Sequence, residues 1–502
     1  MEVIAHLLNG FAVAGTPVNL EMVLIGAFLG TIVGMLPGLG PINGVAILLP
    51  IAYAMKLPAE SSLILLTAVY AGCEFGGRIS AILINVPGDA GAVMTTLDGY
   101  PMARNGMAGP ALSISALASF CGAVIATLGI VAFAPLLSRW ALAFGPAEYF
   151  ALMVLALSCL GGLVGDSMLK ALIACLLGLI LSCVGIDSNS GVYRYTFDLI
   201  HLSDGIPFIV VVIGVFAVSE LMLMLQNLHA GVTAVPVSGR ILFNLQELAL
   251  TRWTILRSSV VGFFIGVLPG AGASIASAMT YSMERRIAGA GHRFGEGDPR
   301  GVAAPEAANN ASAYGSLIPM LTLGVPGSGT TAVLIGALTL YNITPGPMLF
   351  QEHPAMVWGL IASMFIASVM LLVMNIPLIK FFVRFLDIPN WLLVPGIAAV
   401  SLIGVYAIHG TSFDLVLGTL LGCLGYVLRV MNFPMAPFIL GFVLGDMMEQ
   451  NLRRALSISN GEIDILFVSP ISIGLWIAAL VMLVGPRLLR LLVRLPGASA
   501  AG

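Results

Sequence analysis

The chain has 502 residues, of which 59% are hydrophobic and only 9% charged, with a formal net charge of −3 and a mean hydropathy of +1.04. Ordinary globular domains carry about 25% charged residues, and charges this sparse cannot cover a folded, water-facing surface. A soluble enzyme, a disordered regulator and a nucleic-acid binder are thereby excluded, the last also by the absence of a basic patch, leaving a polytopic membrane protein.

Residues 1–21 contain no Lys or Arg. Without a basic n-region a cleavable signal peptide is not expected, so this segment should lie along the interface or make a short membrane segment. Two apolar pieces follow around a Leu-Pro-Gly break, 15 residues over 22–36 and 18 over 39–56. A crossing takes about 20 residues, so the two predict a re-entrant hairpin with its tip near mid-membrane. The apolar run 61–97 is broken at Asn85-Val86-Pro87-Gly88. Uninterrupted spans are expected near 110–136, 147–164, 168–186 and 206–227.

The pattern then starts again. Gly30, Gly34, Leu36-Pro37-Gly38 and Gly40 reappear as Gly262, Gly266, Leu268-Pro269-Gly270 and Gly272, an offset of 232. Gly76 and Val86-Pro87-Gly88 match Gly315 and Val325-Pro326-Gly327 at 239. Pro146 and Gly161 match Pro389 and Gly404 at 243, and Pro207 and Gly214 match Pro434 and Gly441 at 227. Four anchors in one order predict a membrane repeat over 22–230, a cytoplasmic linker over 231–257, and a second repeat over 258–502. Later spans are expected near 356–379, 391–408, 414–430, 433–449 and, closing the chain, 470–486. Placing the repeats in inverted orientation puts 15 of the 21 Lys and Arg inside and 5 outside, with Arg78 in the membrane. Arg453 and Arg454 fit that scheme awkwardly, and the C-terminus falls on the cytoplasmic side.

The fold class that follows is an all-α membrane protein of two inverted repeats with re-entrant hairpins and broken helices. Breaks at matching positions of inverted repeats point to a transporter's binding site. A half-helix N-terminus offers N–H groups and partial positive charge to a carboxylate, while unwound carbonyls suit Na⁺. The substrate-binding candidates are Pro37, Gly38, Gly40 and Asn43 at the first tip and Asn85, Pro87 and Gly88 at the first broken helix. Gly270, Gly272 and Ser274 stand at the second tip, with Ser277 nearby. Pro326, Gly327, Ser328 and Thr330 stand at the fourth break, beside Thr331. The ladder Gly26, Gly30 and Gly34 reads as a helix-packing face.

Ionisable residues inside membrane segments are functional candidates by default. Glu74 and Arg78 share a helix face; they pair with each other, or Arg78 receives a substrate carboxylate. Asp89 is expected to cap a helix or to bind the coupling cation, and Glu74, Asp89 and Asn310 are the candidate cation ligands. Glu306, with Asn309 and Asn310, enters the second broken helix and is a weaker gating or binding candidate. Asp166, Glu220, Asp446 and Glu449 are expected at the interface. The charged loop 284–305 reads as solvated, and the six cysteines read as small buried apolar groups. No metal-ligand, nucleotide-binding or catalytic motif is present, so neither an enzyme nor a cofactor is expected.

At these breaks the chain resembles the large membrane subunit of the tripartite tricarboxylate transporters. The stretches that carry the likeness are Gly34-Met-Leu-Pro-Gly-Leu-Gly-Pro41, Tyr70-Ala-Gly-Cys-Glu-Phe-Gly-Gly-Arg-Ile-Ser80, Asn85-Val-Pro-Gly-Asp89, Asp98-Gly-Tyr-Pro-Met102, Gly266-Val-Leu-Pro-Gly-Ala-Gly272 and Pro305-Glu-Ala-Ala-Asn-Asn310. The resemblance implies a secondary transporter of the bacterial inner membrane, importing di- or tricarboxylates such as citrate on a Na⁺ or H⁺ gradient. It further implies a small four-helix membrane subunit, a periplasmic solute-binding protein as partners, and an elevator-type motion of the hairpins. A passive organic-anion channel is the alternative; an intramembrane enzyme has only Glu74 and Arg78 to offer.

Overall fold

The computed structural model describes residues 2–163, 167–187, 189–226, 234–237, 239–270, 272–289, 292–388 and 390–494. Among them six helices are long and apolar enough to cross a membrane: Pro17–Met35, Val93–Ala141, Phe208–Gln226, Leu245–Val267, Pro354–Asn375 and Ser412–Val430. A seventh crossing results if Ile379–Leu386 and Trp391–Tyr406, bent by 94°, count as one. The protein is therefore all-α and multi-pass, apart from a two-residue antiparallel ribbon pairing Gly185–Ile186 with Tyr193–Arg194. The chain packs as two compact units, one of Met1–Arg139 with Ile206–Met431 and the other of Trp140–Gly205 with Asn432–Gly502.

In the first unit the terminators repeat residue for residue. Helix α1, Pro17–Met35, stops at Leu36 (φ −78°, ψ 119°) because the residue before a proline is pushed out of the helical region. Gly38 (φ +88°) and Gly40 (φ +60°) then turn the chain into α2, Gly40–Ala54. The second copy stops α3, Leu245–Val267, at Leu268 (φ −77°, ψ 118°). It turns through Gly270 (φ +80°) and Gly272 (φ +66°) into α4, Gly272–Ala288. Positive φ at these places is open to glycine at little cost.

The first arms are longer than the apolar runs predict. Pro17 in the first turn extends α1 to 19 residues, and a capping box of Asn244 and Glu247 extends α3 to 23, so each is long enough to cross alone. Their return arms, of 15 and 17 residues, are not. The broken helices also end alike. Ala59–Ile84 closes on Asn85 in the left-handed region (φ 59°, ψ 25°), and Leu317–Leu323 closes on Gly324 (φ 69°, ψ 16°).

Glycine sets how close the arms lie to the broken helices. A methyl group on Gly30 would sit 2.3 Å from the Val69 carbonyl oxygen, and one on Gly34 would sit 2.2 Å from that of Cys73. On the other side Gly262 would meet the Ala308 oxygen at 2.5 Å and Gly266 that of Ser312 at 2.2 Å. The ladder is a packing face, as its spacing predicts. The expected span at 110–136 lies in the helix Ala108–Ala141, which a kink at Gly106 (φ +80°) separates from the helix Val93–Met102. The N-terminal helix Glu2–Ala14 lies on Pro354–Asn375, with His6 stacked 5.7 Å from Trp358.

The second unit holds the helices Pro146–Leu163, Met168–Ser182, Met435–Ile458 and Pro470–Arg494. Gly178 and Gly441 face the backbones of Phe438 and Cys175, so two of these helices touch main chain to main chain. Arg194 pairs with Glu449 at 2.7 Å, and Arg453 bridges Glu449 and Asp187. Glu449 thus joins Arg194 and Arg453, and Asp446 is exposed. Cys73 and Cys175 are buried, but Cys423 faces outward. Asp166, Pro389 and the C-terminal residues 495–502 lie outside the described residues.

Candidate functional site

Each tip lies on the break of its own half. Gly270 donates its amide to the Gly327 carbonyl at 2.9 Å. A methyl on Gly88 would fall 2.0 Å from the Gly34 oxygen, and Gly40 faces Asp89 and the Gly88 oxygen. A chain of hydroxyls joins the two sides: Tyr70 lies 3.4 Å from Ser316, which is 3.4 Å from Ser328. The structure thus sets Gly40 beside Gly88 and Gly270 beside Gly327, with Ser328 next to the second pair, and with Pro37, Pro87 and Pro326 in the turns.

Local chemistry explains how the remaining candidates are held. Asn43 donates to the carbonyls of Gly38, at 3.2 Å, and of Leu39, lacing the first tip from inside. Ser328 and Thr331 cap the helix Gly329–Leu340 reciprocally, the Thr331 amide donating to Ser328 and the Ser328 amide to Thr331. That satisfies two of the N–H groups at the start of this half-helix, those of Ser328 and Thr331, with its own side chains. Thr330 is buried in the first turn, while Asn85, Gly38 and Ser274 are exposed. Ser277 donates to the Pro305 carbonyl.

Under the breaks lies a sealed polar cluster. Arg78 is fully buried and does not pair with Glu74: its Nη1 donates to the Leu112 carbonyl and to Ser115 Oγ, both at 2.8 Å, and its Nη2 to Asn375 Oδ1 at 3.2 Å. With the Phe75 ring beneath the guanidinium, it acts as a brace between helices, and both Nη groups that a bidentate substrate carboxylate could use are engaged. Asp89 is not the helix cap either. It folds back on the Gly91 amide at 2.8 Å, and the next helix starts at Val93 behind Ala92. Glu306, buried on the second broken helix Pro299–Gly315, accepts from Thr95 at 2.6 Å and Ser119 at 3.0 Å. Asn310 donates to the Glu306 carbonyl one turn back, so Asn309, not Asn310, faces Glu74 and Gly91.

Two further contacts escaped sequence reasoning. Glu220, expected at the interface, is buried and paired with Arg429, whose guanidinium lies 5.7 Å over Phe216. Glu220 Oε1 would be 2.6 Å from a methyl on Gly38, so the pair sits at the first tip. The loop 284–305 is anchored rather than free. Asp98 Oδ1 accepts the amides of Gly295, Gly297 and Asp298 at 2.8–2.9 Å, and Tyr281 donates to its Oδ2 at 2.8 Å. Asp98 in Asp98-Gly-Tyr-Pro-Met102 was the visible signal for the second contact. The partners of the first are 209 residues apart and share no motif. Among the described residues, no group of three or more His, Cys, Asp or Glu side chains is arranged to hold a metal ion.

Residues 20–440 match the family described as the tripartite tricarboxylate transporter TctA family. An uncharacterized 52.8 kDa protein in the TAR-I ttuC' 3'region of Agrobacterium vitis is 42% identical over 475 residues, covering 95% of this chain and 94% of the relative. An uncharacterized protein in the TAR-II ttuC' 3'region of the same organism is 44% identical over 214 residues, covering 43% of this chain and 88% of the relative. No solved structure matches the chain.

Proposed function

Since the chain belongs to the tripartite tricarboxylate transporter TctA family, and is thus a membrane transport protein rather than an enzyme, we propose that it is the large subunit of a secondary transporter importing citrate-like di- or tricarboxylates. Import runs across the bacterial inner membrane, on a Na⁺ or H⁺ gradient. A periplasmic binding protein delivers the substrate, and a small four-helix membrane subunit completes the complex.

The observation that carries this reading is the pairing of tip with break on both sides, above all the hydrogen bond from Gly270 to Gly327. Proline and positive-φ glycine leave main-chain groups at each turn outside regular helical bonding. Such backbone is tolerated at membrane depth only in a protein interior or at a polar cavity, and its amides suit an anionic substrate. In this reading the two copies are inverted repeats. The hairpins and broken helices move as one body in an elevator-type cycle, and later spans stay in place. The inward bias of Lys and Arg supports the orientation. Arg194, Arg453 and Arg454 count against it, the first two paired with Glu449 and Asp187.

The test is uptake of labelled citrate and other di- and tricarboxylates by cells without their own carriers, expressing this chain with or without each partner. Accumulation requiring all three components supports the proposal. Equilibration with the chain alone would replace it by a channel.

A further inference from the structure

We propose that Glu74, Asp89 and Asn309 form the seat of a small monovalent cation, Na⁺, inside the polar cluster beneath the breaks. The inference rests on the transport reading above and names the ion site within it.

Three observations carry it. Asn309 is fully buried, and its side chain makes no hydrogen bond of ordinary geometry, lying only close to the Glu74 carboxylate. Glu74 Oε2 and Asp89 Oδ1 are sealed from solvent and equally unpartnered. Sealed polar atoms without partners are costly, carboxylates most of all. Secondly, the three groups converge where the main chain has no side chain. A methyl on Gly91 would stand 2.1 Å from Asn309 Oδ1 and 2.8 Å from Asp89 Oδ2, and one on Gly77 would stand 2.4 Å from Asp89 Oδ1. Glu74 is close enough to Asp89 and Glu306 to feel their charge and lies beside the Asn309 side chain.

Thirdly, the charges do not balance. Arg78 acts on Glu306 while its Nη donors serve Leu112, Ser115 and Asn375, and among the described residues no Lys or Arg is paired with Glu74 or Asp89. Glu306 has two hydroxyl donors of its own, which leaves Glu74 and Asp89 as neighbouring like charges that a shared proton or a bound cation relieves, and the Na⁺ titration below separates the two. The three converging protein oxygens, one of them an amide, fall short of the six to eight that Ca²⁺ requires. The sealed surroundings do not suit the water shell that Mg²⁺ keeps.

The experiment is thermal unfolding of the purified chain in detergent, titrated with NaCl at constant ionic strength against KCl and choline chloride, with Asn310→Ala as the control. Wild type and Asn310→Ala should be stabilised by Na⁺ beyond K⁺ and choline. Asn309→Ala should raise the half-saturating Na⁺ at least tenfold, and Glu74→Gln and Asp89→Asn should abolish the response. If a carboxylate variant does not fold, the conservative Asn309→Asp decides in its place, by a shifted Na⁺ dependence. Equal responses to Na⁺ and choline, or an unshifted Na⁺ dependence in the Asn309 variants, overturn the site. Because the readout is not transport, a Na⁺ response in a chain that moves no carboxylate would sink the transport reading and keep the site. Carboxylate uptake that ignores Na⁺ would do the reverse.

Discussion

Arg78 and Glu74 stand one helical turn apart on the same buried face, yet the guanidinium reaches past the carboxylate to the Leu112 carbonyl and Ser115 at 2.8 Å. The bonds run from Ala59–Ile84 to the long helix that follows, so Arg78 stabilises the packing of two helices. Arg78→Ala should cost about 3–5 kcal/mol, the usual result of breaking a buried, hydrogen-bonded charge. Arg78→Lys should recover only part, because an ammonium lacks the planar fork. Thermal unfolding in detergent measures both; a melting point unchanged in Arg78→Ala would contradict the bracing role.

Close helix approach makes a second prediction. Gly34→Val and Gly266→Val place a side chain where even a methyl lies 2.2 Å from a carbonyl oxygen. Overpacking of this kind costs about 1–3 kcal/mol or more. Gly106→Ala is the contrast: nothing lies within 4 Å of its added methyl, and only the positive φ resists it. Unfolding temperatures should fall clearly for both valine variants and less for Gly106→Ala.

The pair Glu220 and Arg429 yields a third. Removing one member leaves the other charged and largely buried, so Glu220→Gln and Arg429→Gln should each destabilise by about 3 kcal/mol, whereas replacing both by apolar residues should cost far less. A double-mutant cycle reads the coupling, and additive losses would show that the two do not act as a pair.

Acid should loosen the ribbon of the second unit. The Asn189 amide, then the Ser190 hydroxyl and Arg453, hold the Asp187 carboxyl down at about 2, against about 3.9 for a free aspartate. A lowered folded-state value gives stability that is fully present above about pH 4 and lost as pH falls towards 2. The protection factors of the Asn189 and Gly191 amides, taken against intrinsic exchange at each pH, should fall over that window in the wild type and be low throughout in Asp187→Asn.

Much of this was legible in the sequence because backbone chemistry was involved. Leu-Pro-Gly dictates where α1 and α3 stop, and Asn85 and Gly324 mark where the broken helices end. These are local rules, and they recur at fixed offsets. The arm lengths were less legible, because Pro17 and the Asn244–Glu247 box start helices in polar sequence that hydropathy does not count. Side-chain partners were least legible. Asn309 and Asn310 are indistinguishable as letters, and helix phase alone turns one towards Glu74 and the other back on Glu306. Glu220 looked like a span-end carboxylate until Arg429, distant in the chain, appeared beside it.

The measurement that bears most directly on the central claim is accumulation of labelled citrate-like substrates in proteoliposomes holding this chain and its small partner, with the binding protein outside. Inward Na⁺ or H⁺ gradients are imposed in turn. The account predicts accumulation above the external concentration, dependent on a gradient and on the binding protein, and lost in Pro37→Ala, Pro269→Ala and Pro326→Ala variants that insert normally. Equilibration that ignores every gradient, or uptake within twofold of wild type in the three proline variants, would contradict it.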